Sequence, residues 1–415
     1  MTQQLLFVSW DDREQIGVLE QVDGQPESYS FRYTGASRPI SLSLKLGEEP
    51  FSPAASRPFF EALLPEGTIR DQVARQLKVA SSDSFALLEQ LGHDCAGALQ
   101  IFETPPPHSP PAVEWLSEPD LDELIEQLPR YPLGIGPGSK RMRLSLAGVQ
   151  NKATLVRDRE GRFGRPLDGM PSTHILKPEL PGVTYPDLAT NEYFCMRLAA
   201  RSSLAAAEVE LTEIAGRSCL VVTRFDRDTS VWPPRRLHQE DLCQALGISP
   251  TFKYQEPGRA VPSYRALAEL LDRHAAQPGL DRLEGARATV FHFLVGNADA
   301  HAKNVSLMHL DDGVRLAPLY DVVSTVAYPE LDDRLALGIG DEFDPHAIST
   351  IHWSDLAEDF GLNPRAFGSL RQAMCEQTLA EAKQLRAEAL EAGWHRGCID
   401  AIVQTIESRT ARVMP

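Results

Sequence analysis

FLVGNADAHAKNVSLM (293–308) is an apolar run broken by Asp299, His301, Lys303 and Asn304. The end of a buried helix has no use for so many polar groups in so short a stretch. Asp299 and Asn304 stand five residues apart, and LAPLYDVVST (316–325) follows with a further acid, Asp321.

Phosphoryl transfer wants this set. It needs a group that orients the attacking hydroxyl and accepts its proton, and Mg²⁺ to neutralise the phosphates. An Asp and an Asn five apart on one loop fill the first role and part of the second. Asp321 would reach the metal from a separate segment, since Mg²⁺ is commonly held by one or two protein oxygens plus phosphates. Alone, D-x-x-x-x-N recurs by chance, and a helix N-cap is its plainest explanation. The apolar run ahead and Asp321 behind give it weight.

The same chemistry asks for two more parts. SLAGVQNK (145–152) lies between strand-like runs, with Gly148 permitting a tight backbone that can turn N–H groups toward phosphate. It is not a Walker or G-x-G-x-x-G loop, and a hairpin turn explains it as well. Lys177 in THILKPE ends an alternating apolar run, the context of a phosphate-contacting strand lysine, with an exposed edge-strand lysine as the alternative. Glu192, opening the next helix, is read either as its partner or as a cap. RFDRD (224–228) is either a surface ion-pair cluster of small energetic value or a hinge between lobes. His301 is left to loop hydrogen bonding, because Asp suits a step governed by positioning and electrostatics.

The chain has 415 residues, 42% hydrophobic and 24% charged, enough for two or three domains with a sizeable core. With 41 basic against 58 acidic residues, its formal charge of −17 argues against a broad nucleic-acid footprint. The densest basic patch is SKRMR (139–143). Six cysteines lie scattered without metal-ligand spacing and read as reduced, mostly buried thiols. Neither a leader pattern nor an apolar stretch long enough to span a bilayer is visible, so a cytoplasmic location with no membrane contact is expected.

Short strand-like runs open the chain: LLFVSW, IGVLEQV, YSFRYT and ISLSLKL, followed by helices through EGTIRDQVARQLKV and SFALLEQLG. Five prolines in ETPPPHSPPAVEW (103–115) read as a semi-rigid connector. From about 238 the pattern is mostly helical, and Ile399, Ile402, Val403 and Ile406 trace one helix face. The expected domains are a small α+β module over 1–103, a connector over 104–114, a β-rich lobe over 115–237 and a helical lobe over 238–415.

Taken in order, these segments resemble the HipA family of serine/threonine kinase toxins. LLPEGTIRDQVARQL and LLEQLGHDCAGALQIF carry the resemblance in the first module. In the core it is carried by RLSLAGVQNKATLV, THILKPE, NEYFCMRLA, VTRFDRD, LHQEDLCQALG, KYQEPG, FLVGNADAHAKNVSLM and LAPLYDVVST. The resemblance implies an α+β, bilobal, protein-kinase-like fold with an extra N-terminal subdomain, using ATP and Mg²⁺. It implies that Asp299 is the catalytic Asp and that Asn304 and Asp321 hold the metal. Lys177 would contact the ATP phosphates. Ala147, Gly148, Val149, Gln150, Asn151 and Lys152 would form the phosphate loop. Thr223, Arg224 and Phe225 would form the hinge beside adenine, with His301, Ala302, Lys303 and Asn304 closing on the nucleotide. Ser145 matches the serine that family members autophosphorylate, a modification that ejects the phosphate loop; two negative charges beside an anion site would do that.

Two departures from the founding member stand out, Thr223 and Asn151, each where that protein has Glu. The resemblance further implies a small helix-turn-helix antitoxin of the HipB type as partner, DNA contact only through it, and an aminoacyl-tRNA synthetase as protein substrate. Two other readings stay open. One is a kinase of the same fold acting on a non-protein substrate. The other is a catalytically idle co-repressor, against which stands the complete set of Asp299, Asn304, Asp321 and Lys177.

Overall fold

Alternating side chains build the first sheet. In Tyr29–Tyr33 the rings of Tyr29, Phe31 and Tyr33 turn inward while Ser30 and Arg32 face outward, the period of a half-buried strand. The structure is a computed structural model; it describes residues 4–11, 14–22, 28–105, 110–134, 151–180, 182 and 185–413. Backbone contacts divide the chain into two compact units, Met1–Pro178 with Glu213–Pro250, and Glu179–Thr212 with Thr251–Pro415.

The first unit holds two main sheets, beside the two-stranded ribbon of Arg227–Asp228 with Arg235–Arg236. The smaller has the strand order Tyr29–Tyr33, Gln15–Gln21, Leu5–Ser9, Gln100–Phe102, all neighbours antiparallel. Helices Pro53–Ala62, Gly67–Leu77 and Ser84–Leu91 bring Phe59, Phe60, Ile69, Val73, Phe85 and Leu88 to one core with its aromatic residues. The Phe31 and Phe60 rings meet at 5.3 Å.

The expected strand ISLSLKL does not form, because its polar groups are bound elsewhere. Glu240 accepts from Ser41 Oγ at 2.5 Å and from Leu42 N at 3.0 Å, and Ser43 Oγ donates to Gln244 O at 2.7 Å. The run therefore docks side-on against the Leu242–Leu246 helix.

In this unit the larger sheet runs Ala112–Trp115, Phe163–Leu167, Ala153–Arg157, His174–Pro178, Arg217–Thr223. Ala112–Trp115, read from its prolines as the end of a connector, is thus an edge strand, the place where neighbouring prolines are tolerated. Ala215 (φ 50°) and Gly216 (φ 74°) make the two-residue turn that leads into Arg217–Thr223.

The second unit is mainly helical: Leu188–Arg201, Tyr264–His274, Pro278–Val295, Thr350–Asp359, Pro364–Glu391 and Gly397–Val413. Ile399, Ile402, Val403 and Ile406 are buried on one face, as their spacing requires. The hairpin Ser306–Leu310 with Gly313–Leu316 stands among these helices. Among the described residues no helix is long and apolar enough to cross a membrane.

Candidate active site

Pro278–Val295 stops at Gly296, whose φ of 74° lets its N–H reach His292 O and Phe293 O. Asn297 then turns the chain. Its side-chain oxygen accepts from Asp299 N at 3.0 Å, and its amide nitrogen lies 3.1 Å from His292 Nδ1. Burial pushes the His292 imidazole down to about 4, so it is neutral and can accept that proton. Thr325 fixes the other side: Ala298 N donates to Thr325 Oγ1 at 2.9 Å, and Thr325 Oγ1 donates to Gly296 O at 3.0 Å.

On this support Asp299 is exposed, while its neighbours Ala298 and Ala300 are buried. Asp299 caps no helix. The short 3-10 turn Ala302–Asn304 starts after His301, so the helix-cap explanation of the Asp–Asn spacing fails. Asn304 Nδ2 donates to Asp299 O at 3.1 Å, which closes the loop and leaves the carboxamide oxygen as its acceptor end. Tyr320, next to Asp321, donates its hydroxyl to Lys303 O at 2.7 Å. Asp321 itself sits at φ 56°, a left-handed conformation held against its steric preference. Asn191 secures the residues that follow, giving one bond to Ser324 O (3.0 Å) and taking one from Ser324 N (2.9 Å). Glu192, beside it on the Leu188–Arg201 helix, is buried and not at the cap, which is Asp187.

In the first unit, Lys177 lies on a central strand, with Leu220 opposite it on one neighbour and Leu176 paired to Ala153 on the other. It is 5% exposed, so the edge-strand reading fails. Lys152, just before the Ala153–Arg157 strand, is also buried. The Asn151 side-chain oxygen is buried without a hydrogen-bond partner among the described residues. Ser145, Ala147, Gly148, Val149 and Gln150 lie outside the described residues, as does SKRMR.

RFDRD is not a surface cluster. Arg224 pairs with Asp226 through two bonds of 2.9 and 2.8 Å, and Arg227 and Arg236 reach Asp94 at 2.9 and 2.8 Å. All five are almost wholly buried. Burial alone would raise the Asp94 carboxyl, yet Arg236, Arg227 and Arg224 hold it down at about 2. The Arg224 side chain is thus spent on structure, and Arg224 N is bonded to Thr173 O. Thr223 closes its strand opposite His174, with Phe225 between the two arginines.

Two residues near Asp299 were missed in the sequence. Asn297 carries the signal of a turn-forming amide two residues ahead of the acid. Tyr254 donates its hydroxyl to Asp299 Oδ1 at 2.7 Å from 45 positions upstream, a contact that nothing in KYQEPG announces.

The sheets of the first unit, the helical second unit and this acid–amide loop define a kinase-like α+β protein. A family model described as HipA-like C-terminal domain matches residues 144–383, and one described as HipA N-terminal domain matches 7–102. The Y4mE protein of Sinorhizobium fredii is 40% identical over 377 residues, 87% of this chain and 87% of its own length. The serine/threonine-protein kinase toxin HipA of Shewanella oneidensis is 30% identical over 354 residues, 82% of this chain and 80% of its own. A solved complex of the Shewanella oneidensis MR-1 toxin–antitoxin system, HipA, HipB and operator DNA, contains a chain matching at TM-score 0.81 and 26% identity. That match covers 98% of this chain and 97% of the other. The chain belongs to the HipA family.

Proposed function

We propose that this protein is an ATP- and Mg²⁺-dependent serine/threonine protein kinase and the toxin of a toxin–antitoxin pair. Asp299 orients the acceptor hydroxyl and takes its proton. Asn304 and Asp321 offer the hard oxygens that suit Mg²⁺. When bound, the metal would neutralise charge on the phosphates. Lys177 contacts those phosphates, with residues 147–152 as the phosphate loop. Thr223 to Phe225 contact adenine through the backbone, since the Arg224 side chain is bound elsewhere, and His301, Ala302 and Lys303 lie against the nucleotide.

One observation carries this reading: Asp299 is exposed on a loop held by Asn297, which accepts its N–H, and by Asn304, which is closed onto its carbonyl. Rigid placement of the reacting group is what phosphoryl transfer asks of a protein. Lys177 adds support, because it lies on a central strand, the setting of a phosphate-contacting strand lysine.

We further infer self-inactivation by phosphorylation of Ser145, an aminoacyl-tRNA synthetase as target, and a cytoplasmic setting. The Shewanella HipA is solved with HipB and operator DNA. By that precedent a HipB-like antitoxin binds this chain, with DNA held only through it, which suits a formal charge of −17.

Intact mass after incubation with Mg²⁺ and ATP tests the reading. The wild type should gain one phosphoryl group that Asp299→Asn and Ser145→Ala both lack. No gain and no ATP binding would favour the idle co-repressor.

A further inference from the structure

The KYQEPG segment (253–258) has no part in the reading above, yet it is fastened to the catalytic loop. Lys253 O accepts from Ala302 N at 3.0 Å. On the other side of Tyr254, Gln255 N donates to Ala336 O at 2.9 Å, and Gln255 Oε1 accepts from Gly338 N at 2.9 Å. The backbone of Tyr254 is thus set from both sides. Its ring stands edge-on to His301 at 5.3 Å, with Lys253 Nζ 5.5 Å from the ring centre. The hydroxyl then reaches Asp299 Oδ1 at 2.7 Å.

Packing does not explain that hydroxyl. Tyr254 is 45% exposed, so water could satisfy the phenol, and a Phe would make the same ring contacts. Asp299 is also exposed, and an exposed carboxylate left to itself samples several rotamers. The bond selects one. It engages Oδ1 and leaves Oδ2 as the oxygen that meets an incoming hydroxyl.

We propose that Tyr254 is a positioning residue for phosphoryl transfer, holding the Asp299 carboxylate through Oδ1 so that Oδ2 is presented to the acceptor hydroxyl. This rests on the kinase reading. Tyr254 touches neither nucleotide nor acceptor; it acts through Asp299. The bond forms within one unit of the chain, so it exists before any substrate arrives.

The test compares wild type with Tyr254→Phe, using Mg²⁺ and ATP alone, with the chain as its own acceptor. Three quantities are read: the rate constant of mass gain at saturating ATP, the ATP concentration at half-saturation, and the thermal midpoint. Tyr254→Phe should lower the rate constant about 10-fold, because misplacing a reacting group slows the step without weakening binding. Half-saturation and midpoint should not move. Tyr254→Leu, which also strips the ring from His301, should lower both rate and midpoint. An unchanged rate in Tyr254→Phe overturns the proposal, and a faster one overturns it by marking Tyr254 as a blocking group. A wild type that transfers nothing overturns the kinase reading itself, a result separable from the first two.

Discussion

The side chain of Asn297 accepts the backbone N–H of Asp299 at 3.0 Å, a turn that points the acid outward from a buried loop. Its amide nitrogen is anchored on His292, inside the helix that precedes the loop. The helix therefore sets the direction of Asp299 through one carboxamide.

Asn297→Ala removes that carboxamide and leaves both Asp299 N–H and His292 Nδ1 without their partner. We expect about 1–3 kcal/mol of lost stability, the cost of unpaired buried polar groups, and a fall of at least about 10-fold in self-phosphorylation rate. Asn297→Asp keeps the acceptor facing Asp299 N–H and should retain more of the rate. Single-turnover mass gain and denaturant titration read both effects. Equal rates for Ala and wild type would separate the turn from catalysis.

His292 gives the fold a pH dependence with a definite sign. Its imidazole sits at about 4 in the folded chain, against an ordinary value of 6.5. A depressed value means that the contribution is fully present above pH 6.5. It is lost as pH falls from 6.5 toward 4, because the unfolded chain takes the proton first. The full loss is about 3 kcal/mol. His292→Gln should flatten the decline of the denaturation midpoint across that window. Parallel pH curves for the two proteins would show that His292 does not titrate as its burial demands.

Asp94 acts in a lower window. It faces Arg224, Arg227 and Arg236 with Asp226 and Asp11 beside them, in a cluster where removing one charge strands the others. Asp94→Asn should destabilise by about 3 kcal/mol at neutral pH. In the wild type the Asp94 contribution is complete above pH 3.8 and is lost as pH falls through about 2. The variant should lack that part of the acid slope. Thermal midpoints at pH 7 and acid titrations below pH 4 check the two statements.

What was legible in the sequence was local. Ile69 with Val73, and Ile399 through Ile406, announce helices because the period lies within one turn or two of chain. Asp299 and Asn304 share one loop for the same reason, five residues apart and joined through Asn304 Nδ2. Contacts between distant segments hid the rest. Ser41 reads as strand until Glu240, 199 residues away, takes its hydroxyl. RFDRD reads as a surface ion-pair cluster or a hinge until Asp94 meets it from 133 positions upstream of Arg227. Tyr254 was hidden similarly, since nothing in KYQEPG reveals which carboxylate its hydroxyl meets.

Gly296 is where the helix, the loop and the Asp321 segment converge, and it tolerates no side chain. Its φ of 74° is one that L side chains rarely adopt, and a Cβ there would overlap the methyl groups of Val326 and sit 3.3 Å from Thr405 Cγ2. Its carbonyl already receives Thr325 N at 2.9 Å and Thr325 Oγ1 at 3.0 Å. Relief of the clash has to move Val326, and with it the chain that runs back to Asp321. Gly296→Ala should therefore destabilise by about 1–3 kcal/mol, the range for overpacking a filled site. It should slow self-phosphorylation more than Gly279→Ala, a helical position where a Cβ meets open space. Equal midpoints and equal rates for the two variants would mean that the helix end is not what holds the loop.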